Sequence, residues 1–169
     1  MKFDARTIAE ISGVIALSTV LSLVKVFSLP EGGSVTAGSM VPILWFSLRR
    51  GTKAGCTAGA IFGLVELMVE PYVYHPVQVL LDYPIAFGAL GLAGLFKKHR
   101  VIGVAVGISG RFVAHFLSGV IFFATYAPEG MSPIVYSAIY NGSYLGIELI
   151  VSAIVIYLLG KTRVFEAYR

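Results

Sequence analysis

Apolar residues along the chain gather into six stretches, at about 7–29, 38–50, 54–70, 77–96, 101–126 and 133–160, parted by short polar connections. Most reach or exceed the roughly 20 residues a helix needs to cross a bilayer. The pattern predicts an all-α integral membrane protein, a bundle of six transmembrane helices forming a single membrane domain over 1–169. The second stretch is the exception. Its apolar part, Ser39 to Leu48, is too short to span upright, so it must be tilted, shielded by neighbours or entered through irregular chain. The first carries Glu10 in its early turns, runs long and lacks a clean small-residue cleavage site, and so reads as a retained helix rather than a leader.

Small residues recur at helical spacing, as in Gly55, Gly59 and Gly63, or Gly103 and Gly107. Four-residue spacing of small side chains lets helix backbones approach closely in lipid. Helix 1 repeats the theme with Ser12 and Ala16, and with Ala9 and Gly13. Small residues on more than one face fit it both for its own bundle and for a partner helix.

Composition agrees with the membrane reading: 57% of residues are hydrophobic, 13% are charged, and mean hydropathy is +0.84. The net charge of +4 acquires meaning from its placement. Lys2 and Arg6; Arg49, Arg50 and Lys53; Lys97, Lys98 and Arg100; and Lys161, Arg163 and Arg169 fall at every second boundary. The intervening connections, around 30–37, 70–76 and 127–132, hold no Lys or Arg. That alternation predicts N- and C-termini in the cytoplasm, within a multi-pass plasma-membrane protein, and argues against nucleic acid as a partner. Cys56 is alone, which excludes a disulfide framework or a zinc cluster.

Ionisable groups inside a bilayer are costly and each needs an account. Glu10, Lys25 and Glu70 lie near helix ends, where their side chains reach the interface. Arg111 and Glu148 fall at matching depth on adjacent antiparallel helices, and an ion pair between them is the economical expectation. Glu66, Asp82, His115 and Asn141 share the half of the bundle predicted to face outward. Aromatics crowd that level: Phe62, Tyr72, Tyr74, Tyr83, Phe122, Phe123, Tyr126, Tyr136 and Tyr140. An interfacial belt explains rings, but not a carboxylate, an imidazole and an amide beside them. A carboxylate in an aromatic, water-poor cup favours a flat cation or a hydrogen-bonding heterocycle. Spacing alone therefore predicts an outward-facing site for a small aromatic or cationic solute.

Two local signals carry no function. Gly160-Lys161-Thr162 imitates the end of a phosphate-binding loop, but Val155 stands where the first glycine belongs and no strand precedes it. Asn141-Gly142-Ser143 matches a glycosylation sequon inside a membrane helix. No zinc motif or nucleophile elbow supports an intramembrane enzyme using Asp82 and His115 as acid and base. A purely structural membrane partner would leave Asp82, His115 and Asn141 without a role. Neither a metal nor a cofactor is implied.

The segments PILWFSLRRG (42–51), AGAIFGL (58–64), VQVLLDYPIAF (77–87), GRFVAHFLSGVIFF (110–123) and YSAIYNG (136–142) together resemble the thiamine-binding S-components of energy-coupling-factor (ECF) transporters. The resemblance implies a six-helix bundle that captures thiamine outside for uptake driven by partner subunits, rather than an enzyme. It also implies that Asp82, followed by Tyr83, hydrogen-bonds the aminopyrimidine ring. His115 and Phe123 would flank the thiazolium, Tyr136 and Asn141 would complete the polar contacts, and Gly119 would leave room for the ring. Phe62 and Tyr74 join the expected aromatic lining. The implied partners are a transmembrane scaffold subunit, docked through Ser12 and Ala16, and two ATPases. A thiamine precursor or another vitamin is the alternative cargo. Three departures stand out: aspartate at 82 where the family has glutamate, phenylalanines where tryptophans are expected at 62 and 123, and no aromatic in the loop 30–37.

Overall fold

The structure is a computed structural model that describes residues 3–162 and Phe165. Lys2, Arg163 and Arg169, three of the basic residues that mark the expected cytoplasmic end, lie outside the described residues.

Six helices form the described fold: α1 (Ala5–Ser22), α2 (Val41–Arg50), α3 (Thr52–Val69), α4 (Pro76–Phe96), α5 (Arg100–Phe122) and α6 (Pro133–Leu159). Among the described residues, all but α2 are long and apolar enough to cross a membrane. Their outward faces carry residues such as Leu17, Val20, Leu117, Ile121, Ile150 and Ile154. Exposed aliphatic side chains in such number are solvated by lipid, not water. Asp4 opens α1 by accepting a hydrogen bond from the Thr7 amide, and Ser132 opens α6 in the same way through Val135.

The first helix ends at Ser22 and does not run on to Leu29. Lys25–Ser28 (β1) instead pairs antiparallel with Ser34–Thr36 (β2). Three physical features stop the helix. The run Val24–Phe27 includes two β-branched residues, which favour extended backbone. Pro30 cannot continue a helix, and Glu31 and Gly32 turn the chain with positive φ. An apolar run of that length does not itself distinguish strand from helix. Similarly, α5 closes at Phe122, and Ala124–Tyr126 forms a separate tight turn.

α2 is the hub. Met40, Ile43, Leu44 and Phe46 are wholly buried, and Leu48 nearly so. At about 1.5 Å per residue, its 10 residues cover only half a bilayer, and its neighbours shield it on all sides. At its end Gly51 adopts φ +100, which turns the chain directly into α3.

α4 is irregular. Its central turn, Leu81–Ile85, is a π-turn containing Pro84. Proline has no amide to give to the preceding turn, and the wider turn absorbs the loss, with the Ala86 amide reaching back to the Leu81 carbonyl. Helix bulges of this type recur at functional sites. Asp82 lies within it. The last part of α4, Leu90–Phe96, tightens to 3-10 geometry.

The glycine stripe of α3 packs against α4. A Cβ on Gly59 would lie 2.2 Å from the Phe87 carbonyl oxygen, and one on Gly63 would lie 2.4 Å from that of Tyr83. Gly119 does the same between α5 and α6, where its Cβ would meet Ser137 Oγ at 2.2 Å. The absent side chain at Gly119 thus lets Ser137 of the neighbouring helix approach closely.

The basic residues cluster at one end. Arg50 grips Glu10 through two hydrogen bonds of 2.5–2.6 Å, Arg49 stacks on Trp45, and Arg100 donates to the Gly160 carbonyl. The β-hairpin lies at the opposite end, where Lys25 is paired with Glu70. Arg111 and Glu148 form no ion pair among the described residues. Glu148 instead accepts from the amide and hydroxyl of Thr36, at 2.6 and 2.8 Å. The hairpin reaches the carboxylate first.

Because the atom facing Gly59 belongs to a backbone, it cannot swing aside. Gly59→Ala is expected to cost about 1–3 kcal/mol through overpacking, read as a lower unfolding temperature in detergent. Gly13→Ala, where nothing lies within 4 Å of the new Cβ, should leave that temperature unchanged or raise it. Gly119→Ala should likewise destabilise, with part of the loss restored by Ser137→Ala, which removes the oxygen in the way.

Candidate functional site

The hairpin end of the bundle encloses a cavity of about 300 Å³, bounded by α3, α4, α5, α6 and the loop around Gly32. That volume lies at the lower limit for small-molecule sites. Its polar centre is built from α4 and α5. His75 caps α4 by accepting from the Val77 amide, and Gln78 Oε1 accepts from the Tyr74 amide at 3.0 Å. The other end of the Gln78 side chain donates to the Tyr72 carbonyl and, at 2.8 Å, to Asp82 Oδ2. Ser118 Oγ donates to the same oxygen at 2.8 Å. His115 Nδ1 lies 2.9 Å from Asp82 Oδ1.

A guanidinium can only donate, and Arg111 Nε lies 3.2 Å from His115 Nε2. Nε2 is therefore the acceptor in that bond. A neutral imidazole then carries its proton on Nδ1, directed at Asp82. Arg111 also lays its guanidinium over the Phe87 ring at 4.0 Å. These bonds fix one continuous chain of donors from Arg111 through His115 to Asp82, which receives two more from Gln78 and Ser118.

Aromatic residues wall the cavity on two sides. Phe123 packs with Tyr72 and Tyr126, at ring separations of 5.8 and 5.9 Å. Tyr136, Tyr140 and Tyr144 follow one face of α6 in steps of four, each pair 6.0 Å apart. Asn141, between them, donates from its amide nitrogen to the Ser137 carbonyl and accepts on its oxygen from the Tyr144 hydroxyl. The Tyr140 hydroxyl donates to the Pro30 carbonyl and accepts from the Gly33 amide, which fastens the loop over the cavity. Tyr72 hydrogen-bonds Glu31 across the entrance. Bonding with Tyr126 and Glu31 holds its hydroxyl well above the ordinary phenol range.

Of the residues singled out from the sequence, Asp82, Tyr83, His115, Gly119, Phe123, Tyr136 and Asn141 line this cavity. Tyr83 does so with its hydroxyl committed, accepting from the Tyr72 amide and donating to the Glu70 carbonyl. Phe62 does not line it. That ring is fully buried and meets Phe87 edge-on at 4.9 Å, inside the α3–α4 contact. Tyr74 is 63% exposed and touches the outer side of Phe123. Phe62 has the expected depth on α3 but faces α4, and Tyr74 lies in the connection before α4. Gln78, Ser118, Ser137 and Tyr144 were missed. Gln78 stands four before Asp82 and Ser118 three after His115, so helical spacing carried the signal. Among the described residues no three His, Cys, Asp or Glu side chains gather to hold a metal. Ser12 and Ala16 sit at the other end, exposed on the outer face of α1 beside Gly13.

The chain matches the family described as thiamine transporter protein (Thia_YuaJ) over residues 8–166. The thiamine transporter ThiT of Bacillus subtilis is 38% identical over 90% of this chain and 89% of its own length. That of Lacticaseibacillus paracasei is 31% identical over 69% of this chain and 68% of its own. The solved structure of ThiT from Listeria monocytogenes superposes with a TM-score of 0.85 at 25% identity, covering 94% of this chain and 96% of the other. These relatives are transporters, not enzymes. Together with the lipid-facing helices, they make the chain a multi-pass plasma-membrane protein of the thiamine transporter family.

Proposed function

We propose that this chain captures thiamine from outside the cell as the S-component of an ECF transporter. One observation carries the reading: a partly buried carboxylate, Asp82, is oriented by three protein donors within a cavity walled by Phe123 and the tyrosines of α6. Aromatic walls suit two flat heterocycles, and a desolvated ring–cation contact is worth roughly 0.5–2 kcal/mol. Asp82 would accept from the aminopyrimidine, His115 and Phe123 would flank the thiazolium, and Tyr136 and Asn141 would complete the polar contacts. The lining holds Glu31, Glu66, Glu70 and Asp82 against Arg111 alone, a balance that favours a cationic ligand.

The basic end of the bundle, with both termini, would face the cytoplasm and the cavity would face outward. Small residues on the outer face of α1, Ser12 and Ala16 beside Gly13, would dock a transmembrane scaffold subunit that also carries two ATPases. No Cβ-sized neighbour fills the space at Gly13, which leaves room for a partner backbone.

Calorimetric titration of the detergent-solubilised protein with thiamine tests the reading. Saturable one-to-one binding is expected; absence of heat with thiamine, alongside binding of a different vitamin, would replace the assignment. Asp82→Asn should weaken thiamine binding more than tenfold, because hydrogen bonds to a charged group are worth roughly 1.5–3 kcal/mol. Asp82→Glu should retain binding. Ser12→Trp or Ala16→Trp should leave thiamine affinity within a few-fold of the parent while uptake collapses in cells that supply the other subunits. Normal uptake, or an equal loss of binding, would remove this face as the docking surface.

A further inference from the structure

The acids around the cavity are not equivalent, and their existing partners sort them. Glu70 is neutralised by Lys25 at 2.5 Å. Glu31 is exposed at the entrance and accepts from the Tyr72 hydroxyl. Asp82 has three donors on its two oxygens, which uses most of the roughly four acceptor positions a carboxylate offers. Glu66 differs from all of them. It projects from α3 into the cavity lining, is half-buried at membrane depth, and has one hydroxyl partner, Ser22 Oγ, at 2.7 Å on Oε1. Among the described residues no cation lies within ion-pair distance of it; Arg111, the cation of the lining, is held on His115 and Phe87.

A half-buried carboxylate with no cationic partner is costly in a bilayer. It becomes favourable when a cation enters the same water-poor space. We infer that Glu66 is the counter-ion for the ligand's positive ring, and that Asp82 reads the hydrogen-bonding heterocycle instead. The inference rests on thiamine as the ligand, and it divides recognition between two carboxylates on two helices. Ser22, at the last turn of α1, holds Glu66 Oε1 and leaves Oε2 to face the ligand. The free oxygen thereby discriminates charge, whereas Asp82, with one acceptor position left, discriminates donor pattern.

The test compares thiamine with an isosteric analogue whose thiazolium is replaced by a neutral thiophene ring, both titrated into purified protein. The parent should prefer thiamine. Glu66→Gln should lower thiamine affinity at least tenfold while the neutral analogue stays within threefold, so the preference for the cation collapses. Glu66→Asp, which keeps the charge, should keep most of that preference. Asp82→Asn should weaken both ligands to a similar degree. Equal losses for both ligands in Glu66→Gln, or no loss for either, would overturn the inference, as would a lost preference in Glu66→Asp. If Glu66→Gln unfolds, the preference ratio of Glu66→Asp decides. Failure of the parent to bind thiamine at all would instead overturn the assignment of the ligand and is read in the same experiment.

Discussion

Direct contact between the backbones of α3 and α4 is the constraint on which the rest of this molecule depends. Gly59 and Gly63 bring α3 against the carbonyls of Phe87 and Tyr83, and Gly55 brings it close to Gly91. In lipid there is no hydrophobic drive for helices to associate, so packing must come from close van der Waals fit. That fit fixes α4 in depth and rotation even though Pro84 interrupts its hydrogen bonding. The π-turn around Asp82 would be a loose hinge on an isolated helix. Pressed against a glycine stripe, it becomes a rigid shelf that carries the carboxylate.

From that shelf the site is assembled by neutral groups as much as by charged ones. Gln78 ties the loop before α4 to Asp82, Ser118 brings in α5, and Arg111 sets the proton position on His115. The bonds to Tyr72, His115 and Ser118 tie α4 to the loop before it and to α5, so the carboxylate is positioned before any ligand arrives. Preorganised polar groups of this kind lower the cost of ordering on binding. The loop after β1 adds a cover of backbone atoms, fastened by Tyr140 and by Glu148.

The sequence made the helical segments and the basic end legible, because apolar length and the placement of Lys and Arg are one-dimensional signals. It also located Asp82, His115, Phe123 and Asn141 in one half of the bundle, since rise per residue converts spacing into depth. Rotation about each helix axis was harder to read. Phe62 has the right level but faces α4, because an apolar helix in lipid has no polar side to reveal its orientation, and Tyr74 lies in the connection before α4, turned to the surroundings. Pairing was harder still. Arg111 and Glu148 match in depth, yet Thr36 occupies the carboxylate from a hairpin that the apolar pattern of Val24–Leu29 concealed as helix. Gly119 has the same ambiguity: a missing side chain marks a close approach, but not whether a ligand or a neighbouring serine makes it.

α2 carries one more implication, for how the protein is held in its membrane. Ten residues with every large apolar side chain turned toward neighbouring helices are too short to be held by the bilayer alone. Gly51 joins them to α3 without an intervening loop. α2 therefore depends on α3 for the hydrophobic length that it lacks. The most buried helix of the finished bundle is the one least able to partition into lipid by itself, so its neighbours, and not the bilayer, set its place.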